Sequence, residues 1–209
     1  MTPTTRRIGL ALAAAGTATG LAVATSPGAH AEPIWKLHHK ATVVTHVAKP
    51  NKDVTFSGTL DSTVDIGTGK NNLSAALSVG KGTMKVDLPI IPGKLSVPSV
   101  ATATLQIEPL GPAKGSFDSG KIDATQQFNV RIVKLAPALL GFINLVPNTC
   151  MTETPATMKL SGKLSGLFDP ATLKGSYTLP KFKGCGLLTP LVSSLTSGGG
   201  NSVQVHLTV

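Results

Sequence analysis

The segment 121–133, KIDATQQFNVRIV, alternates without a break. Ile122, Ala124, Gln126, Phe128, Val130 and Ile132 share one parity, and Asp123, Thr125, Gln127, Asn129 and Arg131 share the other. Successive side chains of a strand point to opposite faces, so the pattern predicts a strand with one face in a core and one in water. Half-buried strands of this kind belong to antiparallel sheets, because strands of parallel sheets are covered on both faces and read as continuous apolar runs. The same period of two recurs at 40–47, 53–60, 73–79, 82–88, 100–108, 157–164, 172–179 and 202–209. Leu73, Ala75, Leu77 and Val79 oppose Asn72, Ser74, Ala76 and Ser78, and Met84, Val86 and Leu88 oppose Lys85 and Asp87. Turn residues separate the runs, as at 67–71 (GTGKN) and 92–94 (PGK).

The expectation is an all-β fold, either an antiparallel sandwich or a closed β-barrel, of about nine or ten short strands. One or two short helical turns accompany them. Thr189 is expected as an N-cap before Pro190, with Leu191, Val192 and Leu195 on one side and Gly198-Gly199-Gly200 as the stop. A second turn is expected at 136–140. A faint internal echo pairs FSGTL at 56–60 with LSGKL at 160–164, and KGTMKV at 81–86 with KGSYTL at 174–179. A duplicated hairpin unit and convergent strand-turn composition both account for it.

Hydrophobic residues make up 41% of the 209 residues and charged ones 14%, a balance that excludes a disordered chain. The first 31 residues stand apart. Arg6 and Arg7 precede an apolar run at 8–24, which Ser26-Pro27-Gly28 breaks, and Ala29-His30-Ala31 is a small-x-small site. This is the pattern of an export signal cleaved between Ala31 and Glu32. Gly9 stands where a twin-arginine signal carries a bulky apolar residue, which favours the general secretory route. The expected mature chain, 32–209, is a single secreted β domain without a transmembrane span, located outside the cell or at its envelope. It carries 17 basic residues against 10 acidic ones, and Arg131 is its one arginine. The lysines are scattered, and aromatic residues are only 4% of the chain, so no nucleic-acid reader is expected. The excess suits a solvated surface or attraction to an anionic wall polymer.

Cys150 and Cys185 are the only cysteines. In an exported chain one disulfide is the simplest use of a single pair. A metal pair would need His or further Cys nearby, and neither has a His within ten residues. His38, His39 and His46 cannot share one face of a strand, because 39 has the opposite parity; they are expected as surface or edge residues with no metal. No nucleophile elbow, HExxH, phosphate loop or dinucleotide fingerprint occurs, so no catalytic residues and no cofactor are expected, and the protein is read as a non-enzyme. Asp61 and Asp65 share a strand face but are expected to be solvated.

Two segments break the strand pattern by being more apolar than the strands, and both lie beside a cysteine: 135–146 and 187–195. They are expected to cap the core or to form the entrance to an apolar ligand cavity, with Leu139, Leu140, Phe142, Leu191 and Leu195 at the entrance.

The motifs LVPNTC at 145–150, TPATMKLSG at 154–162, LPKFKGCG at 179–186 and the close at 197–209 resemble a group of secreted proteins of actinobacteria. The resemblance covers about 130–209. It implies an exported, Cys-bridged, β-rich domain, and it supplies no catalytic or binding residues. The functional expectation is a cell-envelope or extracellular domain binding an apolar or lipid-like ligand. Its rivals are a structural or interaction protein of the wall with a filled core and, behind that, an unrecognised hydrolase.

Overall fold

The computed structural model describes residues 33–67, 70–87, 100–166 and 169–209. The expected signal segment and its Ala31–Glu32 cleavage point lie outside them. Among these residues twelve strands, one short 3-10 helix (Gly186–Leu188) and one α-helix follow in the order β1 (Ile34–Val47), β2 (Lys52–Asp65), β3 (Leu73–Val79), β4 (Lys81–Asp87), β5 (Val100–Pro109), β6 (Ala113–Asp118), β7 (Lys121–Pro137), β8 (Met151–Thr152), β9 (Ala156–Lys163), β10 (Ala171–Leu179), β11 (Phe182–Lys183), the 3-10 helix, α1 (Thr189–Thr196) and β12 (Gly198–Thr208).

The strands form a closed eight-stranded antiparallel barrel with small additions. β3 and β4 make one wall strand interrupted at Gly80, and β5 and β6 make the next, because β4 pairs with β5 while β3 pairs with β6. β7 pairs with β5 and β6 and also with β9. β10 links β9 to β12, and β12 returns to β1 from Lys40↔Thr208 to His46↔Ser202. Every wall strand therefore lies beside its neighbours in sequence, and the last beside the first. The closed ring removes the free edges that an open sheet would present.

Side-chain parity decides what fills the ring. Ile122, Ala124, Gln126, Phe128, Val130 and Ile132 of β7 are buried in the interior, while Lys121, Asp123, Thr125 and Gln127 are exposed on the outer wall. β12 repeats the arrangement, with Val203, Val205 and Leu207 inside and Ser202, Gln204 and His206 outside. A polar outside around an apolar inside is the build of a barrel in water, the reverse of a membrane-spanning one. Among the described residues no helix is long and apolar enough to cross a membrane.

The chain runs up and down, so its connections divide between two ends. The β2–β3, β6–β7 and β9–β10 connections lie at one end. At the other lie the β1–β2 turn, the ends of β4 and β5, and the two long connections after β7 and β10. Strands in a barrel coil sharply, and Gly58 on β2 serves that coiling: a Cβ there would drive into the backbone of Ser78 and Val79 on the next wall.

The all-β expectation is realised as a barrel, and several boundaries move. β1 begins at Ile34 and β2 ends at Asp65, each well beyond the alternating runs at 40–47 and 53–60. β6 lies outside the alternating runs of the sequence, because within AKGSFD only Ala113 and Phe117 offer apolar inward side chains. The two-residue turn before β7 was nevertheless written in Ser119 and Gly120, whose φ of 49° and 83° suit a hairpin turn of the primed kind. Leu188, not Thr189, takes the N-cap position of α1, and the Thr189 hydroxyl accepts from Cys185 N and donates to Gly186 O. Gly198 opens β12 instead of only ending the helix. No helical turn forms at 136–140: β7 continues to Pro137, and two consecutive turns follow, closed by Leu140 N to Pro137 O and Ile143 N to Leu140 O.

Candidate functional site

The long connection after β10 folds over one mouth of the barrel. Phe182 of β11 pairs with Thr152 of β8, and β8 meets β7 at Arg131↔Met151. The Phe182 N–H donates to Ser193 Oγ at 2.9 Å, and that hydroxyl donates back to Phe182 O at 3.2 Å, which locks β11 to α1. The Cys150–Cys185 disulfide ties this connection to the one after β7. Beside it the Thr149 hydroxyl donates to Gly184 O at 2.7 Å. Gly184 has φ of 70°, and a Cβ there would collide with Thr149 O, so the crossing needs glycine. The Arg131 guanidinium braces the outside, donating to both carboxylate oxygens of Glu108 and, at 2.6 Å, to Asn148 O. The Glu108 hydrogen bond pushes the Arg131 pKa up from its ordinary value.

Beneath this cap the lumen holds two cavities set end to end, of about 50 Å³ and about 60 Å³. Val43, Phe56, Met84, Phe128, Val130 and Phe182 are among the residues around the upper one, with Thr196 of α1 at its roof. Leu37, Leu60, Val64, Phe117, Leu160 and Leu173 are among those around the lower one. Leu77, Gln126 and Met158 border both and separate them. Among the described residues no Lys, Arg, Asp or Glu lines either cavity. Two further depressions of about 400 Å³ lie open to solvent on the polar outer wall.

A few polar groups face this apolar interior. The Thr45 hydroxyl gives its proton to Ser202 O at 2.9 Å, so the Tyr177 hydroxyl is the donor in their 2.7 Å contact. Burial pushes the Tyr177 pKa up, against a smaller opposing effect of the Thr45 hydrogen bond. The Gln126 amide donates from Nε2 to Gly111 O and Gln127 O, which leaves Oε1 buried without a partner. His39 is 3% exposed, borders the lower cavity, and has Nδ1 buried without a partner.

The expected entrance residues stand elsewhere than the lumen wall. Leu139 and Phe142 are 81% and 82% exposed, Leu140 is exposed, and Leu191 and Leu195 are half-buried. None of the five borders either cavity; the cap residues turned inward are Phe182, Val192 and Thr196. His38 and His46 are outward-facing, each opposite a carboxylate across the β1–β2 pair: Nδ1 of His38 lies 2.5 Å from Asp61 and Nδ1 of His46 lies 2.7 Å from Asp53. His39 departs from the surface expectation, because β1 starts earlier than its alternation shows and carries position 39 into the core. Asp65 accepts from Gly67 N and forms no acid pair with Asp61. Among the described residues no three His, Cys, Asp or Glu side chains come together.

No protein-family model, no characterised protein and no solved structure matches this chain.

Proposed function

We propose that this is an exported, non-catalytic barrel that holds a small apolar or lipid-like molecule in its lumen. The observation that carries the reading is a pair of cavities inside a closed barrel, beneath a disulfide-held cap, with no Lys, Arg, Asp or Glu among the described residues that line them. Ligand pockets combine an apolar lining with a few placed polar groups, and this lumen has that composition. Loading a chain-like molecule joins the two cavities past Gln126, whose amide is held by Gly111 O and Gln127 O, and requires Leu77 and Met158, the other two residues between them, to swing aside. Methionine, unbranched and flexible, suits that role. The signal-like segment at 1–31, the disulfide and the resemblance to secreted actinobacterial proteins support export.

The second reading, a structural or interaction protein of the wall, draws on a specific observation too. Cavities of about 50 and 60 Å³ leave most of the lumen filled by side chains. Displacement of the neutral dye Nile red by primary alcohols of increasing length decides between the two. Saturable binding whose affinity rises from butanol to octanol is expected. No binding at any length, with xenon failing to enter the lumen of a pressurised crystal, would transfer the function to the outer surface.

A further inference from the structure

Gln126 and His39 reach the lower cavity from opposite walls, since β7 and β1 stand four places apart in the ring of eight. Each is more than nine-tenths buried, and each holds one polar atom without a partner. The orientation of the Gln126 amide is fixed by chemistry. Its Nε2 donates to two carbonyl oxygens, Gly111 O at 3.0 Å and Gln127 O at 2.6 Å, and reversing the amide would set oxygen against oxygen. Oε1 is therefore the free atom, and it can only accept. The His39 Nδ1 donates or accepts according to tautomer. A buried polar atom left unpaired costs free energy, so such atoms in native proteins have a reason.

We propose that the lumen selects a neutral apolar molecule carrying a hydroxyl group, which donates to Gln126 Oε1 and completes its hydrogen bonding with His39 Nδ1. This rests on the lumen-binding reading and adds the ligand's chemistry to it. A carboxylate fits badly. It has no proton to give Gln126, and among the described residues no Lys or Arg lines the cavity to offset its loss of water. An ether or a hydrocarbon leaves Gln126 Oε1 unpaired. A hydroxyl both gives and accepts, which matches the pair. Ser62, buried on the neighbouring strand β2 and bordering the same cavity, adds a second hydroxyl within the polar zone.

The test compares 1-octanol, heptyl methyl ether and octanoate as competitors of Nile red on the purified protein. The alcohol and the ether have the same number of heavy atoms and differ in the donor. The alcohol is expected to bind about tenfold more tightly than the ether, the effect of one buried acceptor satisfied or stranded. Octanoate is expected to compete more weakly than the alcohol. Gln126→Leu should bring alcohol and ether to equal affinity. Because that variant also strips Gly111 O and Gln127 O of a donor, His39→Phe provides a second measurement, in which the preference should shrink in protein with an unchanged far-ultraviolet spectrum. Equal affinity of alcohol and ether in the parent means that water alone serves these atoms, and it overturns this assignment while leaving lumen binding intact. Octanoate binding as tightly as octanol, or a preference that survives both substitutions, overturns it as well. Failure of all three to displace the dye removes the lumen reading itself.

Discussion

Phe128 shows how a single position on a wall strand is read. It is buried on the inward face of β7 and packs edge-on against Tyr177, ring centroids 5.6 Å apart. Its neighbour Asn129 faces outward and accepts one hydrogen bond from the Thr152 hydroxyl at 3.3 Å. Phe128→Ala should destabilise by about 3–5 kcal/mol and Asn129→Ala by less than about 1 kcal/mol. Urea denaturation of the two variants checks this, and equal losses would contradict the inward assignment. Tyr177 adds a dependence on pH. Its pKa is raised above the ordinary 10.0, so the folded state holds the phenol proton more firmly than the unfolded chain does. The stability tied to this group is complete below pH 10.0 and is lost as pH rises through the folded value. Melting curves of the parent and Tyr177→Phe across that range should show a steeper alkaline decline in the parent. At this scale parity was legible in the sequence: it placed Gln126 inside correctly. It could not reveal that Gln126 would keep a free acceptor, which depends on the carbonyl of Gly111, 15 residues earlier in the β5–β6 connection, taking the amide proton.

The cap is the element in which short-range signals fail and long-range covalent structure takes over. β8 and β11 are two residues each, too short for any alternation, and they exist because the disulfide and the Phe182–Ser193 contacts hold them. The apolar character of 135–146 and 187–195 was visible, yet it did not show which side chains turn inward. Val192 and Thr196 do so, while Leu191 and Leu195 one position earlier lie half-exposed, because a helix of eight residues sets its buried face by the point where the chain enters it. Replacing Cys150 and Cys185 together with Ser frees a crosslink over 35 residues, a loss of about 3–4 kcal/mol in the chain-entropy account. A melting temperature lower by about 10 °C is expected for a domain of this size. If the cap also controls access to the lumen, dye release measured by stopped flow should quicken in this variant. Unchanged melting would show that the bridge contributes nothing to the fold.

For the whole molecule, the all-β class and the two-faced strands were legible, because burial on one side imposes a period of two in any antiparallel architecture. Sandwich and barrel remained indistinguishable for the same reason: both write that period, and only the pairing of β12 with β1 separates them. The faint repeat in the sequence acquires a geometry here. FSGTL lies on β2 and LSGKL reaches through β9, while KGTMKV lies on β4 and KGSYTL on β10. In the ring each second copy stands four walls from the first, half a circuit around. Gly58 and Gly162 occupy matching points, and at each a Cβ would strike the following strand.

The pairing of β1 with β12 also governs time. Val43 meets Val205 across the seam, so the ring cannot shut until the last strand is in place. Contacts between such distant parts of a chain are slow to form, since the entropy of closing the loop is lost before the contact stabilises anything. Until then β1 and β10 each present an unpaired row of amides and carbonyls beside an uncovered apolar face, a state prone to association with other chains. The seam that hides every edge in the finished barrel thus makes the unfinished one adhesive, and its vulnerable interval lasts as long as the synthesis and delivery of its final strand.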